Sequence, residues 1–281
     1  MTQSQTAAGG GRHFHDQLAA LQDRLLAMAS HAEELVDRAM AALRARDRAL
    51  ASAVVEDDAV LDALELEIEQ RAIALLALQQ PLARDLRFII GTIKVSSDLE
   101  RVGDHAVNIA EATLRLLEID TPLDPRPELA ELARRAGAML DDALDAFVKG
   151  DGALGRDVCR RDDEVDAMLE GLFRVLLTHM IERPASISAA LQLLLVGRNL
   201  ERVADLATNI GEDAVYLAEE SRSSTIMATT RSRHTRRSLV RRSAHLPEPS
   251  TVYCSSWPGT FDCCEAHSFR RHRHGRRGRA A

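Results

Sequence analysis

Residues 98–111 read DLERVGDHAVNIAE, and residues 199–212 read NLERVADLATNIGE. Nine of the fourteen positions are identical at an offset of 101, so the chain carries an internal duplication. Two upstream pairs support it at an offset of 104: Asp58-Ala-Val-Leu-Asp62 against Asp162-Asp-Glu-Val-Asp166, and Asp47-x-Ala-Leu50 against Asp151-x-Ala-Leu154. Pro81 and Pro184 fall between these landmarks in their respective copies. The order is the same in both halves, as in chains built by repeating one structural unit.

Each half reads as three helices. Leu99, Val102, Ala106 and Ile109 recur at steps of three and four, the period of a helix with one buried face. Helices are expected over roughly His15–Arg46, Arg48–Gln79 and Leu82–Leu117, then Pro127–Lys149, Ala153–Glu182 and Ala185–Ala218. Asp47 and Asp151 are placed to cap the middle helices. Pro81 and Pro184 sit where the chain must reverse, because proline breaks a helix interior. Thr121–Pro127 holds three prolines and reads as the linker. The fold expected is all-α, two tandem three-helix bundles over residues 13–120 and 121–220, between a flexible N-terminus (1–12) and a basic tail (221–281).

Composition agrees with helices. Aromatic residues make up 3% of the 281 positions, while Ala and Leu dominate. No apolar run approaches the roughly 20 residues that span a bilayer, and the polar, Gly-rich first residues lack the core of a signal peptide. A cytosolic protein is expected, and the single cysteine of the body, Cys159, fits a reducing compartment. The net charge of −7 divides unevenly. From Ser221 onward there are thirteen Arg, no Lys and three acids (Glu248, Asp262, Glu265), a net of +10, which leaves −17 on residues 1–220. So acidic a body argues against direct nucleic-acid binding and for cations or basic partners.

The acids are patterned. Glu100, Asp104, Asn108 and Glu111 follow steps of four, four and three and share one helical stripe, repeated as Glu201, Asp205, Asn209 and Glu212. A solvated face is the ordinary reading of such acids. Like charges at i,i+4 destabilise a helix, however, and the middle helices carry their own pairs, Asp58/Asp62 and Asp162/Asp166. In an antiparallel hairpin, residues equidistant from the turn are level. Asp62/Glu100 and Asp58/Asp104 both centre on position 81; Asp166/Glu201 and Asp162/Asp205 both centre on 183.5, beside Pro184. Each hairpin therefore brings four carboxylates to one level, though level alone does not decide whether they face each other. Carboxylates crowded together repel or protonate unless a cation sits among them, and oxygen ligands favour Mg²⁺, Mn²⁺, Ca²⁺ or iron. The candidate ligands are Asp58, Asp62, Glu100, Asp104 and Asn108, with Asp162, Asp166, Glu201, Asp205 and Asn209.

The motif DLERVGDHAVNIAE with Pro81 and the Asp58-x-x-x-Asp62 pair resembles the PhoU family, over about residues 13–219, and Arg84-Asp85-Leu86-Arg87 fits the same context. The resemblance implies tandem three-helix bundles. It also implies metal clusters on paired acidic motifs in some members, matched by Asp58/Asp62 with Glu100/Asp104 and by Asp162/Asp166 with Glu201/Asp205. Asn108 and Asn209 match the family's recurrent asparagine. It further implies a cytoplasmic, homodimeric, non-enzymatic regulator of phosphate uptake, linking a phosphate ABC transporter to a sensor histidine kinase. The rival readings are a metal-free helical adaptor docking basic surfaces and a carboxylate metalloenzyme. The second lacks the Glu-x-x-His motif of di-iron bundles, and His105, replaced by Leu206 in the other copy, reads as a surface residue. The tail departs from the pattern. It reads as disordered and dispensable, an out-of-frame end rather than a basic arm or a zinc site of Cys254, Cys263, Cys264 and His267.

Overall fold

The computed structural model describes residues 6–120, 123–124 and 127–237, with side chains from His13 to Glu219. Six α-helices run α1 (Thr6–Ala45), α2 (Arg48–Gln79), α3 (Ala83–Leu116), α4 (Pro127–Lys149), α5 (Gly152–Glu182) and α6 (Ile187–Arg237), with a 3₁₀ turn at Pro184–Ser186. No strand occurs among the described residues. Helices α1–α3 pack as one bundle, and α4 and α5 with the first part of α6 as the second.

The duplicated landmarks are the structural joints. Asp47 Oδ1 accepts the Leu50 amide (3.1 Å) at the start of α2. Asp151 Oδ1 accepts the amides of Ala153 (2.9 Å) and Leu154 (3.2 Å) at the start of α5. Such caps satisfy amides that have no partner within the helix. Pro81 lies in the α2–α3 turn beside Gln80, whose φ of 44° is left-handed, and Pro184 opens the 3₁₀ turn before α6. Both outer helices run further than expected. Helix α1 begins at Thr6, within the supposed flexible terminus, because adding turns to a helix already packed from Leu18 and Leu21 needs no new nucleus. Helix α6 continues past Ser221 to Arg237, a stretch without Gly or Pro. The rest of the tail, residues 238–281, lies outside the described residues.

Packing follows helical period. In α1, Leu21, Leu25, Met28, Ala32, Leu35, Ala39 and Ala42 are buried at alternating steps of four and three. This stripe holds α2 and α3 against α1. Glycines set how closely the hairpins pack. A Cβ on Gly103 would stand 2.3 Å from Leu61 Cδ1 and 3.1 Å from Asp58 Oδ1, so α3 approaches α2 closely at the level of the acids. In the second hairpin the close approach is elsewhere: a Cβ on Gly155 would meet the Gly211 carbonyl oxygen at 2.5 Å.

The bundles join along two lines. Helix α3 lies beside α6: Nδ1 of His105 donates to Oδ1 of Asn199 (2.9 Å) and Lys94 pairs with Asp213 (3.1 Å). Phe147 of α4 stacks on Phe88 of α3 (ring centroids 5.5 Å apart) and lies over Gly91. On the other line, Glu33 of α1 meets Asp141 of α4 at the edge of a 350 Å³ cavity also lined by Asp37, Val36, Leu140 and Val203. Burial, then the hydrogen bond and charge of Asp141, then the charge of Asp37, push the Glu33 carboxyl up to about 8. Glu33 therefore carries its proton at neutral pH and donates it towards Asp141.

Two outcomes follow. Gly155→Ala must move a backbone carbonyl rather than a flexible tip, and should lower stability by about 1–3 kcal/mol in denaturant titration. Between pH 4.5 and about 8 folded Glu33 keeps a proton that the unfolded chain has lost, so this group's contribution to stability falls as pH rises through that window. Glu33→Gln, which keeps a donor without the charge, should flatten the pH dependence of the thermal midpoint over the same range.

Candidate carboxylate centres

The two hairpins place the predicted acids together. Asp58 and Glu100 are half-buried, while Asp62, Asp104 and Asn108 are exposed. In the second copy Asp162, Glu201 and Asp205 are half-buried, and Asp166 and Asn209 exposed. Burial is the first cause raising the Asp58 carboxyl above the usual carboxylate range; the charges of Asp104 and Asp62 come next. Glu100 is raised by burial, then by Asp104, Glu65, Asp62 and Asp58. Asp162 is raised by burial, then by Asp205 and Asp166. Glu201 is raised by burial and Asp205, with Arg202 and Arg198 opposing and Asp166 adding to the rise. The residues level about each proline thus share one electrostatic field, because the rotation of the paired helices turns both stripes towards one another.

The copies differ in how the charge is relieved. Arg202 pairs with Asp205 (3.0 Å), and more loosely with Glu201 (3.8 Å). Arg101, its counterpart, turns away to Asp98 (3.4 Å). The first centre is therefore the more strongly acidic. The second has its own unmet demand: Asp162 Oδ1, Glu201 Oε2 and Thr208 Oγ1 are buried without a hydrogen-bond partner. Thr208 opposes the rise at Asp162 but does not reach hydrogen-bonding geometry. Buried oxygens left in this way are costly, and a hard cation is one species that satisfies them. As placed, no three His, Cys, Asp or Glu side chains among the described residues converge closely enough to ligate an ion. The centres carry the oxygen donors a hard cation takes, and the side chains as placed do not converge on one point.

Some assignments shift. Asn209 lies at the seam between the bundles beside Asp98, a carboxyl that burial raises above the usual range against the opposing effects of Arg101 and, least, of the Asn209 amide. Asn108 is exposed. His105, expected on the surface, is half-buried in the same seam, and burial lowers its pKa. The reason is its position on the side of α3 that α6 covers, which the repeat alone does not reveal. Glu65 and Thr208 join the centres without having been singled out; Thr208 directly precedes Asn209, and its counterpart Val107 hides the signal. Glu33 and Asp141 are 108 positions apart and carry no local pattern.

Comparison with known proteins agrees with this architecture. The sequence matches the PhoU domain twice, over residues 25–113 and 129–214, one match per bundle. A phosphate-specific transport system accessory protein PhoU homolog of Clostridium acetobutylicum is 38% identical over 205 residues, covering 73% of this chain and 93% of that protein. The like-named protein of Caulobacter vibrioides is 40% identical over 201 residues, covering 72% and 87% respectively. The crystal structure of PhoU from Pseudomonas aeruginosa superposes with a TM-score of 0.70 at 35% identity, covering 74% of this chain and 99% of that one. The phosphate transport system regulatory protein PhoU from Streptococcus pneumoniae gives 0.67 at 31% identity, covering 73% and 96%. With one domain match falling on each of the two bundles, and relatives close to 40% identical over most of their own length, the chain belongs to the PhoU family.

Proposed function

We propose that this protein is a negative regulator of phosphate uptake and of phosphate-starvation signalling. It acts in the cytoplasm by binding rather than by catalysis, as a homodimer that links a phosphate ABC transporter to a sensor histidine kinase. The observation that carries this reading is family membership over both halves, together with curated relatives named as accessory proteins of the phosphate-specific transport system. No described helix is long and apolar enough to cross a membrane, so contact with a transporter would be peripheral.

The carboxylate centres are the regulator's cation sites in this proposal. Asp58, Asp62, Glu100 and Asp104 would hold a divalent metal or iron in the first bundle, and Asp162, Asp166, Glu201 and Asp205 in the second. Asn108 and Asn209 stand one turn further along each stripe. The cation would supply positive charge that removes the mutual repulsion of these groups. The orphaned oxygens of Asp162, Glu201 and Thr208 support this reading most directly. The separation of the acids as placed is what a metal-free adaptor would also show, with the stripes meeting a basic surface instead.

Purified protein supplied with Mg²⁺, Mn²⁺ or iron should retain metal by elemental analysis, and Asp104→Asn with Asp205→Asn should lose most of it. Equal metal in parent and variant, or none in either, leaves only the adaptor reading. In cells, deletion of the gene should switch on phosphate-starvation genes while phosphate is plentiful, and normal repression in the deletion strain would sink the regulatory reading.

A further inference from the structure

The two hairpins differ at one level beside their acids. Cys159 and Thr208 centre on 183.5, as Asp162/Asp205 and Asp166/Glu201 do, so they form the next rung of the same ladder between α5 and α6. Cys159 precedes Asp162 by three residues and Thr208 follows Asp205 by three, so each neighbours its acid on one helix face, with Cβ atoms about 5–6 Å apart. The matching rung of the first hairpin is Val55 and Val107, apolar on both sides.

Cys159 is a free, half-buried thiol. Its Sγ donates to the Thr208 carbonyl oxygen (3.9 Å), and a Cβ placed on Gly211 would stand 3.5 Å from it, so the sulfur lies against α6. Burial, then the charge of Glu212 and, with less effect, that of Asp162 push the thiol up, so it shares the field of the acids. A buried free cysteine often serves as a small apolar residue, and Val55 shows that this place accepts one. The oxygens around Cys159 indicate more than packing. Thr208 Oγ1 and Asp162 Oδ1 are both buried without a hydrogen-bond partner, although Thr208 stands close enough to oppose the rise at Asp162. A rung that is apolar in one copy thus carries a thiol and an orphaned hydroxyl in the other, next to an orphaned carboxylate oxygen.

We infer that Cys159 is a metal ligand of the second carboxylate centre, with the Thr208 hydroxyl beside it, and that this centre selects a thiophilic divalent metal (Zn²⁺, Co²⁺ or Fe²⁺) over Mg²⁺ or Ca²⁺. The inference rests on the reading of the centres as cation sites and names what distinguishes the second from the first. Oxygen ligands alone, as in Asp58, Asp62, Glu100 and Asp104, suit hard cations, whereas one thiolate shifts the preference towards softer ones. The thiolate is the form that ligates, so the thiol proton passes to solvent as the metal–sulfur bond forms. Arg202, paired with Asp205, offsets part of the negative charge that a thiolate adds, while Arg101 gives the first centre no such relief. As placed the donors do not converge on one point, and the metal would draw them together.

The test uses the full chain with Cys254→Ser, Cys263→Ser and Cys264→Ser, which leaves Cys159 as its one thiol. Co²⁺ is the probe, because cobalt bound to sulfur gives a charge-transfer band in the near ultraviolet that oxygen ligands do not give. Titration should develop this band, Zn²⁺ should displace it, and a large excess of Mg²⁺ should not. Asp104→Asn, in the first centre, should leave the band, and Asp205→Asn should abolish it. In the Asp104→Asn background, Cys159→Val should abolish the band and weaken Zn²⁺ binding by about tenfold or more. Val55 occupies the matching place in the first hairpin, so Cys159→Val should fold, which circular dichroism checks; Cys159→Ser, closer in size, should lose the band as well. Cobalt retained without the band, or Zn²⁺ affinity unchanged in Cys159→Val, overturns the inference and leaves the cation reading standing. A band that survives Asp205→Asn also overturns it, since the sulfur would then bind metal apart from the centre. No cobalt retained by the protein overturns the inference and the cation reading together.

Discussion

Carboxylates that repel one another are held level between paired helices, and most of this molecule is arranged to keep them there. The caps at Asp47 and Asp151 set where the middle helices begin. The turns at Pro81 and Pro184 set where the hairpins fold back. Between those points the register is fixed, because each helix rises by a constant step and the two arms are counted from one turn. The apolar stripe of α1 then clamps the first hairpin against the repulsion. A few tenths of a kcal/mol is lost at each like-charge helical pair, while each well-buried leucine contributes several times that amount. The fold can therefore carry a costly acidic surface.

Duplication produced two centres that are no longer equivalent. Gly103 lets α2 and α3 touch at the first centre, whereas Ala204 stands at the matching place in the second. There the close approach has moved to Gly155 and Gly211, whose counterparts are Ala51 and Ala110. The arginines that follow Glu100 and Glu201 have gone separate ways, Arg101 to Asp98 and Arg202 to Asp205. A cation or a basic partner would thus meet a bare acidic cluster in the first bundle and a partly neutralised one, with orphaned oxygens, in the second.

The seam between the bundles is built from different materials. Aromatic stacking of Phe88 on Phe147, the Lys94–Asp213 pair and the His105–Asn199 hydrogen bond hold α3 and α4 to their neighbours. Across the other line a protonated Glu33 beside Asp141 makes the junction sensitive to pH near neutrality. The seam joins α3, which carries acids of one centre, to α6, which carries acids of the other.

Local chemistry determined what the sequence made legible. Helical period, the caps, the two prolines and the repeat are properties of neighbouring residues, so six helices, two bundles and the level of the acids could be read directly. That Asp58 and Asp104 face each other, that Asn209 reaches the seam, and that His105 is covered depend on how each helix is rotated about its axis. Rotation is settled by the sum of contacts with α1 and with the other bundle, contacts between residues as distant as Glu33 and Asp141. The continuation of α6 past Ser221 belongs to the same class, because a helix already nucleated and packed propagates through residues whose own pattern does not call for it. Spacing along the chain decided which acids share a level; only the packed bundle decided which of them share a field.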